Sequence, residues 1–254
     1  MPRVARLSIA PVRSLGLEHP AEIELTERGV VEDRRFYLID DTGRLVDRLV
    51  VPRLAQVAAH TDPSAATLQL AFPDGQTVEA EVCLSEAVET PMYGRTAVGH
   101  VVDGPWADVL SDFAERPLRV VRTDEPGGSR SGHPATLLTD GSLARLGAEL
   151  GVESVDPRRF RMLIDLEQGE AHEEDRWVGG RVALGDTILR ISAPVPRCAI
   201  TTHHPDSGAR DLDTLRAIKG YRGLTNSKDL LFGVWGEVER PGTVRVGDEV
   251  RVLA

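Results

Sequence analysis

The chain reads as a mainly β protein of the α+β class. Short apolar segments alternate with polar residues at strand spacing, turn signals built from Pro, Gly and Asp interrupt them at short intervals, and few stretches carry helical spacing. The first segment, RVARLSIAPV, places Val4, Leu7 and Ile9 in a strand that stops at Pro11. RFYLID and DTGRLV flank an Asp-Thr-Gly turn and predict a hairpin. TLQLAFPDGQTVEAEV repeats that pattern around Pro73-Asp74-Gly75. GPWADVLSDFAERP switches period: Trp106, Val109, Leu110 and Phe113 predict a helix that Pro117 ends.

VVRTDEPGGSRSGHPA is dense in Gly, Pro and Ser, and a boundary near residue 123 divides the chain into units 1–122 and 123–254. In the second unit, LLTDGSLARLGAELG predicts a helix capped by Asp140 or Ser142 and stopped by Gly151. RRFRMLIDL reads as a buried strand entered by three arginines. GGRVALGDTILRISAPV predicts a hairpin around Gly185-Asp186, LDTLRAIKGY a short helix, and GTVRVGDEVRVL a closing hairpin.

The balance of 30 Lys and Arg against 40 Asp and Glu gives a net charge of -10. That sign excludes a general nucleic-acid or anionic-membrane binder, since both partners are repelled. No apolar run approaches the ~20 residues of a membrane span, and the N-terminus lacks a signal peptide's apolar core. A cytoplasmic protein is expected. Two cysteines, Cys83 and Cys198, do not make a disulfide framework. The basic residues are arginine except Lys219 and Lys228, so a Schiff-base enzyme would have to use one of those two.

VPRCAITTHHPDSGARD, residues 195–211, gathers Cys198, His203 and His204 between prolines and a glycine. A thiolate there is a suitable ligand for a soft or high-valent metal, although a free cysteine is more often a buried, inert thiol. Cys-x4-His-His is not a structural zinc spacing, and adjacent histidines on an extended chain point apart. A cysteine hydrolase would need a histidine on the thiol, and His133, His172, His203 and His204 are equal candidates. Gly208 permits a positive φ in the turn after Pro205-Asp206.

The arginines of PVRSLG, EDRRFYLID and DPRRFRMLI each sit at the end of a strand-like run. A guanidinium presents a planar fork of donors that matches phosphate. Convergence of the three groups would make an organic-phosphate site in a net-acidic protein; singly, each arginine reads as a surface ion-pair partner. There is no Gly-rich nucleotide fingerprint.

Taken together, IAPVRSLG, EDRRFYLIDDTGRLV, HPATLLTDGSLARL, RRFRMLID, RCAITTHHPDSGARD, LLFGVW and PGTVRVGDEV resemble, in this order, the MOSC family with its N-terminal β-barrel domain, which includes the mitochondrial amidoxime reducing components and bacterial relatives. The Arg-Cys-x-x-Thr-Thr-x-x-Pro-x-x-Gly stretch is the most specific part. The resemblance implies an N-terminal MOSC-type β-barrel domain over 1–122 and a MOSC β-barrel domain with short helices over 123–254. It implies a molybdenum cofactor, molybdopterin-bound, with Cys198 as the thiolate ligand and catalytic residue. It further implies that Arg13, Ser14, Arg34, Arg161, Arg197, Thr201 and Thr202 bind the cofactor.

The implied activity is a molybdenum-dependent oxidoreductase that reduces small N-hydroxylated or N-oxide substrates by oxygen-atom transfer, fed by a separate electron-donor protein because no four-cysteine iron–sulfur module follows. The alternative is a sulfur-carrier or cofactor-carrier module that uses the same cysteine. Some family members are associated with pyridoxal phosphate, but a chain with two lysines is a poor host for it. Three departures stand out against the family pattern: Met162-Leu163 in place of Pro-Asn, Pro196 in place of serine, and Ser131 where an acidic residue is usual.

Overall fold

The computed structural model describes residues 1–130 and 132–253. Its largest sheet has seven strands, in the spatial order Arg3–Leu7, Ile164–Glu167, Ala135–Thr139, Leu231–Arg240, Thr187–Pro196, Arg181–Leu184 and Val250–Leu253. All neighbours run antiparallel except Ala135–Thr139 and Ile164–Glu167, which are parallel. A parallel pair needs a crossover, and the helix Asp140–Leu150 lies within it. The sheet curls until its edges meet: Val4 N–H donates to Asp248 O (2.9 Å), Gly247 N–H to Val4 O (2.7 Å) and Val250 N–H to Pro2 O (2.9 Å). Curling removes the open edges of a sheet.

A five-stranded sheet runs Leu45–Val46, Phe36–Ile39, Arg119–Thr123, Arg95–Asp103, Cys83–Met92. Ala58–Thr61, Thr67–Ala71 and Thr77–Glu81 form a meander, and Glu22–Leu25 pairs with Gly242–Arg245. The helix Trp106–Ala114 closes the core beneath the five-stranded sheet with Trp106 and Leu110. A third helix, Thr214–Arg222, packs against Asp140–Leu150. No helix among the described residues is long and apolar enough to cross a membrane.

Most local expectations hold. Asp40 organises the first hairpin turn by accepting from Thr42 N–H and Arg44 N–H, both at 3.0 Å. Arg181–Leu184 pairs with Thr187–Pro196 around Gly185-Asp186, and Gly151 stops its helix at φ 68°.

Four details differ. Glu115, left-handed at φ 55°, terminates the first helix before Pro117 is reached. Thr139, one residue upstream of the expected caps, caps the second helix by accepting from Ser142 N–H. The RRF of the expected buried strand is a 3-10 turn, Pro157–Phe160, because Asp156 caps it and Pro157 presets its first φ; the strand begins at Ile164. The closing segment is not a hairpin: its two strands go to different partners, Glu22–Leu25 and Arg181–Leu184.

Candidate cofactor-binding site

The cleft lies between the first and second halves of the chain. Three local structures build it. The loop Ala10–Ser14 lies along Asp33–Phe36: Arg34 N–H donates to Ala10 O (2.7 Å), Phe36 N–H to Pro11 O (3.0 Å), Arg13 N–H to Phe36 O (2.7 Å), and Ala10 N–H to Asp33 Oδ1 (2.8 Å). The 3-10 turn Pro157–Phe160 then delivers Arg161 in left-handed backbone. Last, the strand Thr187–Pro196 ends and Cys198 opens a 3-10 turn, Ala199–Thr202.

Together these surround a cavity of about 700 Å³, a usual size for a small-molecule site. Ser14, Arg34, Tyr93 and Arg161 line it with positive φ (74°, 55°, 48° and 51°), four of the nine non-glycine residues with positive φ among those described. Backbone strain of this kind, of order 1–3 kcal/mol per residue, gathers at functional sites.

Six guanidinium groups line the cavity, from Arg13, Arg34, Arg48, Arg130, Arg161 and Arg197, against three carboxylates, Asp33, Asp47 and Asp229. Asp33 serves two of the cations. Arg34 Nη1 donates to it at 2.5 Å and Arg130 Nε at 3.0 Å, and these two hold its carboxyl below the usual range although burial acts to raise it. Arg34 also donates to Arg161 O (3.2 Å), and Arg161 Nη1 to Leu15 O (2.9 Å), so Arg34 braces the Arg161 backbone and Arg161 the loop that carries Arg13 and Ser14.

Other donors find nothing. Arg13 Nε, Arg48 Nε and Nη2, and Arg161 Nη2 are buried with no partner. Burial pushes Arg48 down to about 10, with Arg159 adding to the effect, and holds Arg161 well below the ordinary guanidinium range, with Arg48 and Arg34 as the next causes. Unpaired buried cations cost several kcal/mol unless an anion meets them.

Cys198 is exposed and lines the same cavity. Arg48 and Arg197 line the cavity beside it, each lowered first by burial. Among the described residues no group of three His, Cys, Asp or Glu side chains converges to hold a metal.

Seven of the eight expected site residues thus face one cavity: Arg13, Ser14, Arg34, Arg161, Arg197, Cys198 and Thr201; Thr202 does not line it. Arg197 spends its fork on the fold, donating to Phe232 O (2.7 Å), Phe160 O (3.1 Å) and Met162 Sδ (2.7 Å). Thr201 Oγ1 contacts Cys198 O (3.2 Å) and Thr214 Oγ1 (2.8 Å), and Thr202 Oγ1 donates to Ala199 O (2.7 Å), so both hydroxyls set the Cys198 turn.

The three arginine groups divide. Arg158 pairs with Asp156 and Asp206, and Arg159 makes a bidentate pair with Asp211 at 2.7 Å, both clamping the loop that follows Cys198. Only Arg161 of that trio turns into the cavity. Met162, a departure from the family pattern, gives Arg197 a sulfur acceptor; Pro196 lines the cavity; Ser131 lies outside the described residues.

His133 also lines the cavity, stacked on Trp235 at 4.4 Å, and burial, then Arg197, holds it below the usual imidazole range. His172 faces Ser142 and Arg222, and His204 Nδ1 accepts from Asp206 and Ser207 N–H. Lys219 and Lys228 are exposed and line no part of the cavity. Arg48 and Arg130 carry no motif. Arg48 was detectable only as a charge inside the apolar run LVDRLVV, and Arg130 only as an arginine in the Gly- and Ser-rich boundary.

A strand-built cleft with unpaired guanidinium donors in its wall and one exposed thiol at its lip defines a β-barrel protein suited to an anionic ligand. The chain belongs to the MOSC family: the MOSC N-terminal beta barrel domain matches residues 1–114 and the MOSC domain residues 127–251. It is 27% identical to the human mitochondrial amidoxime-reducing component 1, over 98% of this chain and 82% of that protein. To the bovine mitochondrial amidoxime reducing component 2 it is 32% identical, over 97% and 82%. A molybdenum cofactor sulfurase of Drosophila grimshawi is 25% identical over 99% of this chain, which spans 35% of that protein.

Proposed function

We propose that the cleft holds a pterin-bound molybdenum cofactor and that the protein is a reductase of N-hydroxylated or N-oxide compounds. The observation that carries this reading is the set of buried, unpartnered guanidinium nitrogens on Arg13, Arg48 and Arg161 beside an exposed thiol. They fit a group with an anionic phosphate end and a metal end that brings most of its own ligands.

In this reading Arg13, Arg34, Arg48 and Arg161 take the phosphate, and Cys198 gives the metal its one protein ligand. Ser14, at φ 74° in the same wall, would offer its hydroxyl to the pterin. Arg197 is a positioning residue: its three contacts fix the backbone that leads into Cys198. Thr201 and Thr202 hold the turn that follows. When bound, the cofactor supplies two-electron oxygen-atom chemistry. The electrons come from a separate protein. The names of the relatives, amidoxime-reducing components, support the substrate class.

A second reading, a sulfur or cofactor carrier, is supported by the exposure of Cys198 and by the cofactor sulfurase among the relatives.

Cys198→Ser separates the two. The swap is nearly isosteric but replaces a soft sulfur donor by a hard hydroxyl. In protein from a cofactor-competent host, the variant is expected to lose amidoxime reduction while keeping most of its pterin, which the arginines retain. A carrier would show cyanide-releasable sulfur that the variant lacks, and no reductase activity even as wild type. Unchanged turnover and metal content in the variant refute both readings.

A further inference from the structure

The hairpin of Cys83–Met92 and Arg95–Asp103 ends in a two-residue turn, Tyr93-Gly94, with Met92 opposite Arg95. Both turn residues have positive φ, 48° and 84°. Turns of this kind take Asn or Asp before the Gly, because a small polar side chain tolerates left-handed backbone and a bulky one does not. Tyrosine there is locally disfavoured, and nothing within the hairpin turn compensates.

Its contacts lie elsewhere. Tyr93 lines the cavity while 62% exposed, its hydroxyl donates to Asp47 Oδ2, and Arg13 sits 5.0 Å from the ring centroid. Asp47 also holds the adjacent turn, accepting at Oδ1 from Leu49 N–H (2.9 Å) and Val50 N–H (3.3 Å). Leu49 lines the same cavity at 40% exposure. One carboxylate therefore holds the Tyr93 hydroxyl and the backbone that presents Leu49 at the mouth of a cationic cleft.

We propose that Tyr93, with Leu49, is a specificity-determining rim that selects substrates whose N–O group is borne on a flat apolar body such as an aryl ring. The proposal rests on the reductase reading. The polar N–O end enters the cleft while the ring lies against the tyrosine face and the leucine, an arrangement in which stacking and apolar burial add affinity that a small substrate cannot gain. Asp47 and Arg13 hold the phenol and the ring, so the face is set before the substrate arrives.

Benzamidoxime and acetamidoxime test this, since they share a reacting group and differ in the ring. Both are measured on molybdenum-loaded protein by calorimetric binding without any electron source, and by turnover with reduced methyl viologen. For Tyr93→Ala, the dissociation constant and KM of benzamidoxime are expected to rise about tenfold, the size of one lost stacking contact with its buried area, and to rise far more than kcat falls. Acetamidoxime should weaken by less than about threefold on the same scale. Tyr93→Phe, which keeps the ring, should restore the preference for the aryl substrate.

Equal loss for both amidoximes, or an unchanged ratio between them, overturns the rim. So does loss of pterin from Tyr93→Ala, which would make Tyr93 part of the cofactor's cover. If the loaded wild-type protein reduces neither compound, the reductase reading falls and this inference with it; if it reduces both without a role for Tyr93, only the inference falls.

Discussion

Arg48 is 2% exposed, and two of its nitrogens meet no acceptor. A guanidinium in that position opposes folding unless an anion arrives, because its hydration is lost and the nearby carboxylate of Asp47 offsets that loss only in part. Arg48→Met keeps the length of the side chain and removes the charge. In protein stripped of cofactor the variant is expected to be more stable than wild type by about 1 kcal/mol or more. Added phosphate should raise the melting temperature of the stripped wild type by mass action and raise that of the variant less, since Arg13, Arg34 and Arg161 remain. Thermal melts with and without phosphate check both statements; a variant that melts well below wild type without phosphate would mean that Arg48 is a structural cation. By contrast Asp33, equally buried, is satisfied by Arg34, Arg130 and Ala10, so it belongs to the scaffold of the cleft.

At the scale of elements, the Cys198 loop is held by close packing as much as by ion pairs. Gly208 has φ 73°, and a Cβ there would lie 1.9 Å from Pro52 O, in the 3-10 turn Pro52–Gln56. The contact joins the loop after Cys198 to the segment that follows Arg48, two stretches that both contribute to the cavity wall. Gly208→Ala is expected to cost about 2–3 kcal/mol, from overpacking added to left-handed strain. For a chain of this size that lowers the melting temperature by roughly 5–10 °C. Gly43→Ala is the control: its φ is 79°, but no atom lies within 4 Å of the added Cβ. It carries the strain without the clash, so a smaller loss, about 1 kcal/mol, is expected. Equal losses would show that packing against Pro52 contributes nothing. Gly208 was legible from its turn sequence, since Pro-Asp-Ser-Gly asks for a positive φ. Its contact with Pro52 was not, because no local rule names a partner more than a hundred residues away.

Across the whole molecule the two halves share sheets. Arg3–Leu7 pairs with Ile164–Glu167, and Glu22–Leu25 with Gly242–Arg245. Val4, Leu7, Ile9, Ile23, Leu25 and Val30 are buried in one core cluster with Leu137, Ile164, Leu189 and Val234. A fragment of residues 123–254 is therefore expected to lack a native fold: it would expose the edge of Ile164–Glu167 and leave that core open on one side. Circular dichroism and a thermal melt of the fragment check this, and co-expression with residues 1–122 should restore a cooperative transition. A fragment that melts cooperatively by itself would show that the second half folds without the first strand.

What the sequence determined by itself is what neighbouring residues control. The apolar run Phe36–Ile39 beside its Asp-Thr-Gly turn, the Pro-Asp-Gly turn and the helical spacing of Trp106 and Leu110 specify their elements, and the Arg-Cys-x-x-Thr-Thr stretch specifies the family. Only the tertiary structure decided which arginines serve the cleft. Arg158, Arg159 and Arg161 share one short stretch, yet two pair with carboxylates and the third enters the cavity. Arg48 and Arg130 arrive there without any motif. The physical reason is range: a dihedral preference is settled by adjacent atoms, whereas the fate of a charge depends on which distant groups the fold brings within hydrogen-bond reach, as when Arg161 meets Leu15 across 146 positions of chain.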